Sequence, residues 1–245
     1  MSNPILENSF KETEYFDYSQ VQPMTVNGVI NKLSLMTVLM FLSGGATWYQ
    51  FMIGNLDKVN MLMIGGAIVG FIMVLVASFA RKTAPYTVPI YAFAEGAFLA
   101  GISCQIEAMF PGVVVKAVAL TFLTFATVLA LYATRVIQVT EKIKGVLISM
   151  TFALMIFYLI TFVLSFFNVN MPLLYDNSPV SIGFSVFVCI LAASNLLIDF
   201  DFIEKAAKNY YPKEYEWTGS LGLMVTLVWL YVEILRLLSK LSSRD

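Results

Sequence analysis

Seven apolar runs, each as long as a bilayer-crossing helix requires, take up most of this 245-residue chain. They lie at 33–53, 60–80, 86–106, 112–134, 145–168, 180–201 and 218–238. A spanning helix takes about 20 mostly apolar residues. Such a segment must be helical, because lipid offers its backbone no hydrogen-bond partner. The runs are separated by short polar punctuation: Asp57-Lys58, Arg81 to Pro85, Phe110-Pro111-Gly112, Arg135 to Lys144, Asn168 to Pro179, and Glu204 to Trp217. None of these is long enough for a second domain. The sequence therefore predicts an all-α membrane protein. A polar tail over 1–31, placed in the cytoplasm, precedes a single seven-helix transmembrane domain over 32–241.

Composition agrees. Charged residues make up 13% of the chain and the mean hydropathy is +0.79. A soluble domain carries roughly 25% charged residues. Half that number cannot coat a water-facing surface, so the lipid bilayer is the first expected partner. The net charge of −1 gives no reason to expect nucleic acid. There is no histidine, which removes His-based triads and His-ligated metals. No Gly-x-Ser-x-Gly or metal-ligand cluster replaces them, and the seventh run has no mid-depth lysine for a retinal Schiff base. The reading is of a protein that is not an enzyme and has no cofactor. Cys104 and Cys189 fall inside apolar runs and read as small hydrophobes. Residues 1–31 lack the apolar core of a cleavable signal peptide.

Lysine and arginine set the expected orientation. Ten fall on the side of the N-terminus and five on the other. That bias puts the N-terminus in the cytoplasm of a cytoplasmic membrane. Small residues recur every fourth position, at Gly66 and Gly70 and at Ala92, Gly96 and Ala100. These stripes predict close helix packing within the bundle, with a dimer face as the lesser alternative.

The acids inside the runs carry the functional signal, because a carboxylate at mid-bilayer costs roughly 2.5–3.5 kcal/mol on insertion scales. Glu95, Asp199 and Glu233 stand out. At about 1.5 Å per residue, Glu95 and Asp199 lie roughly 13 and 16 Å deep, and Glu233 roughly 24 Å. Glu95 and Asp199 are thus expected in one layer, with Glu233 a turn or more deeper. Glu233 has Arg236 one turn away as a local partner. Asp201 with Lys205 and Glu204 with Lys208 read as exposed i,i+4 pairs on a sixth helix that Pro212 stops. Two buried acids close together cannot both ionise cheaply, so such a pair shares a proton and changes its contacts with pH. Their oxygens also suit a hard cation such as calcium.

Three stretches resemble the spans of a known family. They are Pro89-Ile90-Tyr91-Ala92-Phe93-Ala94-Glu95-Gly96 continuing to Gly101-Ile102-Ser103, Leu197-Ile198-Asp199-Phe200-Asp201-Phe202-Ile203, and Leu230-Tyr231-Val232-Glu233-Ile234-Leu235-Arg236-Leu237-Leu238. In that order and spacing they resemble the third, sixth and seventh spans of the Bax inhibitor-1 (transmembrane Bax inhibitor motif) family. The segment Met24 to Lys32 resembles its bacterial branch, and the likeness extends over 24–240. The resemblance implies a bundle with the seventh helix central. It also implies a carboxylate pair on the sixth and seventh helices that senses pH and gates a calcium leak. Asp199 and Glu233 match the pair, with Glu where bacterial relatives have Asp. Arg81 is the nearest match to an arginine that exchanges with it. The cation pathway is then expected to run past Glu95, Asp199 and Glu233, with a candidate calcium site among them. Calcium and protons are the expected small partners. The rival reading is a non-conducting regulator that binds another membrane protein, such as a protease.

Overall fold

A computed structural model describes residues 22–167 and 171–243. Each apolar run forms one helix: α1 Val26–Met52, α2 Leu56–Phe79, α3 Ala84–Met109, α4 Val113–Ala133, α5 Glu141–Ser165, α6 Pro179–Lys208 and α7 Tyr215–Ser242. All seven are long and apolar enough to cross a membrane. The chain is an integral, multi-pass membrane protein. A 3-10 turn, Arg81–Thr83, precedes α3, and a single helical turn, Pro172–Tyr175, precedes α6.

Short polar side chains start these helices where free backbone N–H groups need acceptors. Thr25 accepts from Gly28 N at 2.9 Å, Thr140 from Ile143 N at 3.3 Å and Ser178 from Ser181 N at 3.3 Å. Between α3 and α4 the acceptor comes from the preceding helix. Glu107 takes the N–H groups of Gly112 at 2.7 Å and Val114 at 3.2 Å, while Gly112 turns the chain at φ 85°.

The small-residue stripes pack helices inside the bundle. A Cβ on Gly66 would fall on the backbone of Ala94 and Phe98, and one on Gly96 on Met40 O and Ser43 Oγ. So α3 is held between α2 and α1 at backbone contact. Helix α7 packs against α1, α3, α4 and α6. The main apolar core joins Leu196, Leu197 and Phe200 of α6 to Leu223, Leu230 and Leu235 of α7 and to Val114 and Ala117 of α4.

One boundary and one residue's exposure differ from the sequence reading. The N-terminal tail was expected to reach residue 31, yet α1 begins at Val26. Residues 1–21 of that tail lie outside the described residues. Polar character made 26–31 read as tail, but the polar groups around it are used. Glu216 in the first turn of α7, only 2% exposed, pairs with Lys32 and accepts from Thr25 N and Thr25 Oγ1, each at 3.0 Å. Gly28 lies flat against the same carboxylate, and Lys32 sits 5.2 Å from the Trp217 ring centroid. Just before α1, Met24 N donates to Tyr211 O at 2.7 Å. Helix α6 runs on to Lys208, as its two acid-base pairs predict. Asp201–Lys205 closes at 2.7 Å and Glu204–Lys208 at 2.6 Å. Asp201 is not the exposed residue expected, however. It is 7% exposed, turned inward on α6 with only its lysine partner outside.

The Glu216 contact ties the first helix to the last, so it should govern bundle stability. Glu216→Ala leaves Lys32 without its acid and is expected to cost about 3 kcal/mol. Gly28→Ala, which puts a methyl onto the carboxylate, should cost about 1–3 kcal/mol. Thermal unfolding in detergent checks both, and an unchanged Tm in the two variants would show the contact to be idle.

Candidate functional site

One face of α7 carries Gly222, Thr226, Trp229, Glu233, Arg236 and Lys240, spaced alternately four and three residues apart, as a helical face requires. Several of these meet polar groups of α5 and α6. The α6–α7 seam is thus polar at both ends. Its middle is closed by Trp229, packed with Leu154 of α5 and with Val188 and Leu191 of α6.

Asp199 sits on the N-terminal side of this apolar collar. Its Oδ1 lies against Gly222, 3.5 Å from where a Cβ would stand, and Thr226 is beside it. Its Oδ2 is buried with no hydrogen-bond partner among the described residues. Among the described residues no base touches it, so the charged form has only the Thr226 hydroxyl to replace its lost hydration. A proton, water or a cation would each supply what is missing.

Glu233 lies beyond the collar, seven residues past Thr226 on α7, or roughly 10 Å along the axis. It is 1% exposed and fully engaged. Arg236 Nη1 donates to both its oxygens at 3.1 and 3.0 Å, and Tyr158 Oη of α5 donates to Oε1 at 2.9 Å. Arg236 also donates to Tyr158 Oη at 3.0 Å and stacks on its ring. This triad fastens α5 to α7. The local Glu233–Arg236 partnership considered from the sequence is therefore what forms, and the structure does not bring Glu233 into contact with Asp199.

The other two expected residues lie elsewhere. Arg81 is in the turn before α3, where Nη1 donates to Tyr215 Oη at 2.6 Å at the start of α7, seven residues below Gly222. Glu95 turns its carboxyl toward Gly70 of α2, on the α2–α3 seam, with Tyr91 one turn away. Depth alone put it in a layer with Asp199, but helix rotation puts the two carboxyls on different seams. The expected calcium site built from all three acids is not assembled. Among the described residues, no group of three Asp, Glu, Cys or His side chains converges to hold a metal ion.

Sequence reading passed over Glu216, Tyr158, Thr226 and Lys240. Lys240 is 4% exposed, and its Nζ donates to Ser181 Oγ at 2.8 Å and Ser185 Oγ at 2.9 Å. The missed signal was the seven-residue spacing of Thr226, Glu233 and Lys240, which sets all three on one face of α7.

The arginine at the end of the fourth span, Arg135, lies outside the bundle. Its ion pair with Glu204 holds the guanidinium above its ordinary range, and the same carboxylate takes Lys208 and Tyr132. That cluster clamps the N-terminal-side ends of α4 and α6 without reaching Asp199.

No curated protein and no solved structure matches this chain. The sequence profile of one family, described as Bax inhibitor 1 like, does match, over residues 3–243. That span takes in all seven helices and the acid-bearing faces of α3, α6 and α7. A match of this extent makes the chain a member of the Bax inhibitor 1 like family.

Proposed function

We propose that this protein is a proton-controlled leak that lets calcium pass down its gradient, in a cytoplasmic membrane with the N-terminus inside. The observation that carries the reading is Asp199, a carboxylate in a spanning seam with one oxygen buried and unpartnered. Family membership supports a membrane role of channel or regulator type. In this reading the protein catalyses nothing, and calcium is cargo rather than cofactor.

The conformation described here is the closed one. Trp229, Leu191 and Val188 pack apolar side chains into the seam between Asp199 and the Glu233–Arg236–Tyr158 triad. Protonated Asp199 suits this dry seam. Ionised Asp199 needs water or a cation, and hydrating it requires α6 and α7 to part at the collar. The carboxylate pair thus acts at two levels, Asp199 as the proton-responsive group and Glu233 as part of the far closure. Direct pairing would require Glu233 to leave Arg236 and the helices to slide by more than a turn. Arg81, bound to Tyr215, steadies the start of α7 and bears on Asp199 only through that helix.

A second reading has its own observation. A groove of about 620 Å3 faces the lipid between α1 and α4, with Met224, Leu227 and Tyr231 of α7 in its floor. Its lining holds no charged residue, and Phe41 and Phe122 stack across it at 6.3 Å. Such a groove would serve a regulator that binds another membrane protein, such as a protease. Calcium flux into proteoliposomes containing this protein alone separates the two, since a non-conducting regulator gives none.

Two outcomes are expected of the leak. Asp199→Asn mimics the protonated carboxyl and should hold flux at the parental acid-side plateau at every pH, while Glu95→Gln, on another seam, keeps the parental pH profile. A parental profile in Asp199→Asn would place the sensor elsewhere. Trp229→Ala opens the collar and should raise flux at all pH values, with a stability loss of about 3–5 kcal/mol visible in Tm. Unchanged flux from a folded Trp229→Ala protein would mean that ions do not use this seam.

A further inference from the structure

A cavity of about 290 Å3 opens at the C-terminal end of α7, at the membrane edge opposite Arg81. Arg236 and Lys240 line it one turn apart, with Ser239 and Ser243 beside them and Asn177 of the α5–α6 connection. Phe110 and Leu174 give it an apolar wall, and among the described residues no acid lines it.

Among the described residues the nearby acids are Glu233 and Asp176, and both act on Lys240 only at a distance. Glu233 is buried behind Arg236, with both oxygens taken by Arg236 Nη1. Asp176 is exposed in the neighbouring loop, where its Oδ1 accepts from Asn177 N at 2.8 Å. The Lys240 ammonium is held only by neutral acceptors, the backbone oxygen and Oγ of Ser181 and Oγ of Ser185, at 3.4, 2.8 and 2.9 Å. Arg236 bonds through Nη1 alone. Its Nε and Nη2 have no hydrogen-bond partner among the described residues, and its side chain is 34% exposed. Cations near a helix C-terminus complement its dipole. That explains the sign of these residues, but not why both face a cavity that no described acid lines. A free guanidinium edge matches a tetrahedral oxyanion, and the ammonium beside it, its N–H groups held by the two serines, adds a positive charge.

We propose that this cavity binds a phosphate group, carried either by an anionic phospholipid headgroup or by a soluble phosphate. Its position at the end of a spanning helix, with an apolar wall beside the two cations, suits a headgroup whose chains continue along the bundle. The site is independent of the leak reading, because it needs neither Asp199 nor an open seam.

The test uses the full chain in nanodiscs of neutral phosphatidylcholine. In one arm, phosphorus NMR follows inorganic phosphate binding. In the other, native mass spectrometry counts phosphatidylglycerol retained from mixed phosphatidylcholine–phosphatidylglycerol bilayers. The parent should bind in at least one arm. Phosphatidylglycerol alone marks a headgroup site, inorganic phosphate alone a soluble-anion site, and both a site for the phosphate group itself. Ser243→Asp sets a carboxylate at the exposed mouth without touching the buried bonds of Lys240, and should weaken binding about tenfold or more at unchanged Tm. Lys240→Gln should do the same while still bonding to Ser181 and Ser185. Absence of binding by the parent in both arms, or binding unchanged in both variants, overturns the proposal.

Discussion

A charge inside a bilayer has to be matched within the protein, because neither lipid nor apolar side chains replace its hydration. The ionisable groups of α1, α6 and α7 sort themselves by how that requirement is met. Glu216 takes Lys32 and Thr25 across the bundle. Glu233 takes Arg236 and Tyr158. Lys240 is met by serine oxygens. Asp199 is left with a buried oxygen that no described residue meets. Matched groups fasten helices to one another, whereas an unmatched one makes its surroundings sensitive to protons and cations.

That contrast divides α7 along its length. Its first turn is fixed to α1 through Glu216, and its last turns are fixed to α5 and α6 through Glu233, Arg236 and Lys240. Between them, Gly222 and Thr226 face Asp199, and Trp229 closes the seam with apolar contacts alone. Apolar contacts have no fixed partners and give way more readily to water than ion pairs with buried hydrogen bonds do. The middle of the α6–α7 seam is therefore where a change of charge on Asp199 is best able to act.

The helices were legible in the sequence because a spanning run announces itself by length and hydropathy, and the packing of α3 by the spacing of Gly66, Gly70 and Gly96. The Asp201–Lys205, Glu204–Lys208 and Glu233–Arg236 pairs were legible because helical spacing alone sets them. Contacts between distant segments were not. Nothing local in Glu216 points to Lys32, which lies 184 residues away, and nothing in Tyr158 points to Glu233. Depth could be counted along each helix, but rotation about the axis could not. For that reason Glu95 and Asp199 seemed to share a layer while facing different seams. The same blindness hid the cavity beside Arg236 and Lys240, which takes its lining from α7 and two connections.

The central claim is that Asp199 is the group whose protonation governs the seam. Difference infrared spectroscopy of its carboxyl stretch, assigned by loss of the band in Asp199→Asn and recorded across pH on the same proteoliposomes used for flux, tests this directly. The account predicts that the Asp199 band exchanges between its protonated and ionised forms with the same midpoint as the change in calcium flux. A band that stays constant across the pH range over which flux changes would contradict it.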